Sequence, residues 1–183
     1  AAALLPGNRF FVRRLALDGP DVQAQVNLAL EALSPFPLEQ MLVGHLVAAD
    51  GRTALIYAAH RRRFTPEESL AWPEDCQVVP EFLALCSHRP AAGGVVVHRG
   101  EERLTALAWV AGETLPAAIA VGELADVTEA EIAAEAAQRG GLAAGYAVET
   151  LTGVLRSERR EQALVLLAEG ATPHELSKKH LDV

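Results

Sequence analysis

Three groups of side chains in this 183-residue chain have the types and spacing that do chemistry. Glu123, Asp126, Glu129, Glu131 and Glu135 place five carboxylates within 13 residues. Oxygen ligands of this kind hold divalent cations, but acids are equally favoured in the first turns of a helix, where the macrodipole is positive. His60-Arg61-Arg62-Arg63 is the basic run. Its guanidinium forks suit a phosphate or an acidic partner; a solvated strand end is the alternative. Cys76, Cys86 and His88 form a Cys-x9-Cys-x-His arrangement, which fits no usual zinc spacing. Side chains two apart on a helix point away from each other, so Cys86 and His88 make no nucleophile–base pair. Cys86 reads as a small buried hydrophobe.

The sequence holds no phosphate loop of the Gly-x-x-x-x-Gly-Lys-Ser/Thr type and no Gly-x-Gly-x-x-Gly after a strand. A Gly-x-Ser-x-Gly elbow and a His-Glu-x-x-His pair are also missing. No catalytic residue, metal or cofactor is therefore expected, and function falls to a protein-binding face. Two regions offer one. The acidic block Glu123–Glu135 would steer a basic partner, and Arg61, Arg62 and Arg63 stand beside Phe64. The acidic block is preferred, because the charge gathers around it. Residues 1–100 carry 9 basic and 10 acidic side chains, residues 101–183 carry 7 and 14, and the two sum to the net −8.

The elements that must position these groups follow from periodicity and turn chemistry. Arg9–Leu17 reads as a strand closed by Asp18-Gly19-Pro20. From Asp21 to Leu33, apolar Val22, Val26, Ala29, Leu30 and Leu33 form a helical stripe that Pro35 and Pro37 stop. Met41–Ala49 and Thr53–Ala59 flank Asp50-Gly51, a hairpin signal. Thr65-Pro66-Glu67-Glu68 predicts a capped helix start, and Gln77–Val79 a strand before a helix at about Glu81–Ser87. Arg89–Gly94 has the composition of a flexible linker, so two subdomains are expected, residues 1–90 and 91–183. In the second, Gly94–His98, Arg103–Ala111 and Pro116–Val121 predict a three-stranded antiparallel meander. Thr128 with Glu131 caps a helix to Gln138, and further helices are expected at Ser157–Glu169 and from Thr172. The fold class is α/β (α+β).

Composition removes several function classes. A chain with net charge −8 and 16 Lys+Arg lacks the basic face that nucleic acid requires. The helix–Gly–helix rhythm of LLAEGATPHELSKKHLDV stops before a recognition helix. Two cysteines suit a reducing compartment. The abundant alanine, with 14 arginines against two lysines, reads as the bias of a GC-rich bacterial genome. The opening residues show no basic region followed by an apolar core, so no signal peptide is expected. Leu104–Gly122 approaches membrane-spanning length, but Gly112, Glu113 and Pro116 interrupt it. Two short strands account for it better.

Between Leu5 and Phe64 the sequence resembles a known family. Leu5-Pro6-Gly7-Asn8-Arg9-Phe10-Phe11 opens a strand, a helix ends in Glu31-Ala32-Leu33-Ser34-Pro35-Phe36-Pro37-Leu38-Glu39, and a hairpin closes on Tyr57-Ala58-Ala59-His60-Arg61-Arg62-Arg63. This order resembles the inserted small subdomain of the actin-like proteins of type IV pilus and type II secretion platforms, of PilM-like and GspL-type. Val79-Pro80-Glu81-Phe82-Leu83-Ala84-Leu85 resembles the family's next junction. The resemblance implies a degenerate actin-like, ribonuclease-H-like fold of two small subdomains, each a mixed or antiparallel sheet with packed helices. In ATP-binding members a strand ending in Asp-x-Gly precedes the phosphate turn. The matching strand here reads Gly94-Val95-Val96-Val97-His98-Arg99-Gly100-Glu101-Glu102, with valine or histidine in place of the aspartate. Its two glutamates oppose phosphate oxygens.

The resemblance implies a non-catalytic cytoplasmic scaffold, peripheral to or tethered at the inner membrane through partners or an anchor outside this chain. It would recruit the assembly ATPase and neighbouring inner-membrane platform proteins; a homodimer is compatible with it. The alternative is an actin-like ATP-binding protein or a small-molecule enzyme with an unrecognised site. Thermal stabilisation by Mg-ATP separates the two.

Overall fold

In a computed structural model, residues 2–65, 67 and 77–152 are described. β1 (Ala2–Leu5) leads through a 3-10 turn at Gly7–Arg9 into β2 (Phe11–Ala16). Pro6 opens that turn, so the strand expected from Arg9 starts at Phe11 instead. Asp21 caps α1 (Val22–Leu33), its carboxylate accepting the Ala24 N–H at 3.3 Å. Of the apolar stripe, Val26 and Leu30 are buried, Val22 and Ala29 pack around them, and Leu33 is exposed.

β3 (Met41–Val47) and β4 (Thr53–His60) form the hairpin expected from Asp50-Gly51. The Asp50 carboxylate accepts the Arg52 N–H at 2.9 Å, and the Ala48 N–H donates to the Thr53 carbonyl at 2.9 Å. β4 is the central strand of an antiparallel sheet ordered β2-β4-β3. Its residues from Ala54 to Ala59 are apolar without alternation, as burial on both faces demands, and every one is buried. One face packs Met41, Val43, Ile56 and Ala58 against Val26 and Leu30. On the other, Tyr57 lies over its register partner Gly44, where a Cβ would come within 2.6 Å of the ring. Glycine is required there by close approach. β5 (Gln77–Pro80) pairs in parallel with β1.

A second compact unit begins at Glu81. α2 (Phe82–Leu85) continues into a 3-10 turn at Cys86–His88. β6 (Gly94–Arg99), β7 (Arg103–Trp109) and β8 (Ala118–Glu123) form the expected antiparallel meander. The stretch Leu104–Gly122 is thus β7, a loop and part of β8, and no helix among the described residues is long and apolar enough to cross a membrane. Thr128 makes a complete capping box with Glu131 at the start of α3 (Glu129–Gly140), and Gly141 ends the helix. The chain returns as β9 (Val148–Thr152), parallel to β6, giving the order β8-β7-β6-β9. The α/β class read from the sequence is the class observed.

Ile132, Ala133, Ala136 and Ala137 of α3 lie on Val95, Val97, Leu104, Ala106, Ala108 and Ala120 of the sheet. Alanine facing alanine lets helix and sheet approach closely, so part of the alanine bias is structural. At Gly94, φ is +132° and a Cβ would sit 2.7 Å from the Ala147 carbonyl oxygen. That same oxygen accepts the Val95 N–H at 2.8 Å. Arg89–Gly94, expected as a flexible linker, is therefore the tight entry to β6, and the two units divide at Pro80/Glu81. The helices expected from Thr65-Pro66, over Ser157–Glu169 and from Thr172, together with Cys76, lie outside the described residues.

Candidate functional site

The turn between β6 and β7, Arg99–Glu102, is tight and acidic. The Gly100 N–H donates to the Arg103 carbonyl at 2.9 Å, closing Arg99–Glu102 between β6 and β7. Glu101 and Glu102 are exposed on it. Arg103 reaches Glu102 and Glu81, each at 3.7 Å. Arg103 is thus shared by two carboxylates and Arg99 is paired with Glu129 at 3.2 Å, which leaves little positive field for a phosphate.

Around α3 the acidic block separates into two kinds of residue. Glu131 is the N3 member of the capping box and accepts the Thr128 N–H at 3.2 Å. Glu129 pairs with Arg99 at 3.2 Å and accepts the Thr150 hydroxyl at 3.4 Å, joining β6, α3 and β9. Glu135 pairs with Arg139 one turn on at 2.5 Å, and Arg139 also donates to the Ile119 carbonyl at 3.2 Å. These three stabilise the unit they belong to. Glu123 at the end of β8 and Asp126 in the following turn are exposed, with no side-chain hydrogen bond or ion pair among the described residues. The part of the block open to a partner is this pair.

The basic run begins at the end of a strand and continues into a turn. β4 stops at His60, and Arg61–Arg63 form a 3-10 turn after it. Arg62 and Arg63 are exposed, while Phe64 is buried. The Arg62 N–H donates to His60 Nδ1 at 3.0 Å. With Nδ1 accepting, Nε2 carries the ring proton and donates to Gln40 Oε1 at 3.3 Å. The His60 ring is therefore fixed at both nitrogens. Phe36 stands edge-on to it, ring centroids 4.6 Å apart, and stays 48% exposed. Arg9 lies 5.1 Å over the Phe64 ring and donates to the Arg63 carbonyl at 3.2 Å. The fold thus brings the Pro35-Phe36-Pro37 junction and the basic run onto one surface. The sequence pointed to the basic run and not to Phe36; their meeting depends on β3–β4 register, which sets Met41 opposite His60.

Burial pushes the Cys86 thiol up to about 12, so it is inert as a nucleophile at neutral pH. His88 is exposed in its turn. Among the described residues no three His, Cys, Asp or Glu side chains are placed to share a metal ion. His45, which the spacing arguments passed over, is 1% exposed in β3, and burial lowers its pKa to about 4.

The fold is similar to that of the cytoplasmic domain of EpsL, an inner-membrane component of the type II secretion system of Vibrio cholerae. The TM-score is 0.50 at 14% identity, over 84% of this chain and 61% of that one. A protein of unknown function with an actin-like ATPase fold from Bacteroides thetaiotaomicron superposes at TM-score 0.46 and 9% identity, over 91% of this chain and 65% of that one. The chain therefore spans less than two thirds of either solved structure. No family model and no curated protein matches it. At this identity, what the chain shares with the EpsL domain is its fold.

Proposed function

We propose that this chain is a non-catalytic scaffold domain of a bacterial type II secretion or type IV pilus inner-membrane platform, working on the cytoplasmic side. The observation that carries the reading is the fold held in common with the EpsL cytoplasmic domain. It is supported by the closed turn at Arg99–Glu102, where Glu101 and Glu102 stand in place of a phosphate grip. A domain of this kind acts through faces that bind proteins. Its partners in this reading are the assembly ATPase and neighbouring platform proteins, and the acidic corner at Glu123 and Asp126 meets a basic partner.

Co-purification with the assembly ATPase of the same organism tests the proposal directly. Binding retained through gel filtration is the expected result, alongside a melting temperature that millimolar Mg-ATP leaves unmoved. A rise of several degrees with Mg-ATP would instead establish a nucleotide site, since a ligand at a hundredfold excess over its Kd adds about 2.7 kcal/mol to stability.

A further inference from the structure

We infer that the surface made by Phe36, His60, Arg62, Arg63 and Arg9 docks an acidic, apolar-bearing segment of a protein partner. The inference rests on the scaffold reading and adds to it a second face, with the opposite charge preference from the corner at Glu123. Three features carry it. The first is a preorganised aromatic. Phe36 is 48% exposed, yet its ring is set edge-on against His60, whose two nitrogens are held by the Arg62 N–H and Gln40. A half-exposed aromatic on an immobilised support makes contact with little ordering cost, the property of an interface anchor.

The second feature is charge. Arg62 and Arg63 are exposed in the turn that follows His60, and neither forms an ion pair among the described residues. Arg9 joins them through its bond to the Arg63 carbonyl. In a chain of net charge −8, this concentrates cations beside an aromatic, the pairing enriched at interface cores. The third feature is rigidity. The turn that carries Arg62 and Arg63 is pinned by the His60 bond on one side and by Phe64 on the other. Phe64 is buried and packs on Phe10, ring centroids 6.2 Å apart. An anionic membrane fits the surface less well. Lipid surfaces attract clusters of about four to eight Lys/Arg on an otherwise compatible face, whereas here the whole chain is acidic.

Panning a displayed random-peptide library on the full chain tests the assignment, followed by Kd measurement on synthetic copies of the selected peptides. The expected peptides carry two or more Asp/Glu next to an aliphatic or aromatic residue. Phe36→Ala is expected to weaken them about fivefold, and Arg62→Glu with Arg63→Glu by about tenfold or more, against less than about twofold for Glu123→Lys with Asp126→Lys. Melting curves confirm that each variant is folded; should Phe36→Ala fail to fold, the arginine pair decides alone. Selection of no acidic peptide overturns the surface, as does binding that survives the arginine reversal. So does binding to vesicles of phosphatidylglycerol and phosphatidylethanolamine in place of peptides. None of these outcomes touches co-purification of the ATPase. Conversely, loss of that co-purification with peptide binding intact removes the scaffold reading and leaves the surface standing.

Discussion

His45 shows how far one side chain can govern the chain's response to pH. It sits in β3 opposite Ile56, and its Nε2 has no hydrogen-bond partner among the described residues. The folded state holds it neutral, with a pKa of about 4 against 6.5 when unfolded. The unfolded chain therefore binds the proton first on acidification. The stability contributed by holding His45 neutral is complete above pH 6.5, declines as pH falls towards 4, and levels off below. The drop is about 3 kcal/mol at most for a shift of this size. Urea midpoints of wild type and His45→Leu across that range check the prediction: the difference between them should vary between the two pKa values and stay constant above 6.5. A parallel pair of curves would rule His45 out as the source. The signal was present in the sequence, because alternation from Met41 and Val43 puts the histidine on the apolar face of its strand.

At the scale of elements, α3 has an N-terminus that separates structural acids from available ones. Thr128→Ala removes the capping box and should cost about 1 kcal/mol, read as a lower melting temperature. Glu129→Lys with Glu131→Lys should cost more than that, because it also breaks the links to Arg99 and Thr150 and places cations at the positive end of the helix. Glu123→Lys with Asp126→Lys should leave the melting temperature nearly unchanged. On the buried side, Ala136→Leu inserts bulk where alanines of helix and sheet meet, and overpacking of that kind typically costs about 1–3 kcal/mol. These elements were legible where a local rule decides them. The capping box, the Asp50-Gly51 hairpin and the meander all follow from a few adjacent residues. β9 was not, since Val-Glu-Thr-Leu-Thr is short, mostly exposed and half polar, and only its parallel register on β6 makes it a strand. The Gly93-Gly94 pair misled for a related reason. Composition cannot distinguish glycine needed for flexibility from glycine needed for a 2.7 Å approach to Ala147. Of the surface around Phe36 only the basic run was legible in the sequence, because it is strand register that brings Phe36 to His60.

At the scale of the whole molecule, charge decides how a partner arrives. Net charge is −8, of which residues 101–183 contribute −7, so the long-range field is negative and centred on the sequence that holds Glu123 and Asp126. A basic partner is drawn toward that field from beyond contact distance. Screening shortens its reach to about 10 Å at 0.1 M salt. Association with such a partner should therefore slow markedly between low and moderate ionic strength, while dissociation changes little. Glu123→Lys with Asp126→Lys reverses two charges and takes the net charge from −8 to −4 without disturbing the capping box or the Arg99–Glu129 link. If the assembly ATPase is the partner, as proposed, stopped-flow or surface-plasmon measurements against it should show an on-rate reduced about three- to tenfold at low salt and a flatter salt dependence. An off-rate change with an unaltered on-rate would place these acids inside the contact. No change in either rate would assign the ATPase to another face, and the surface around Phe36 and Arg62 is then the next to be reversed.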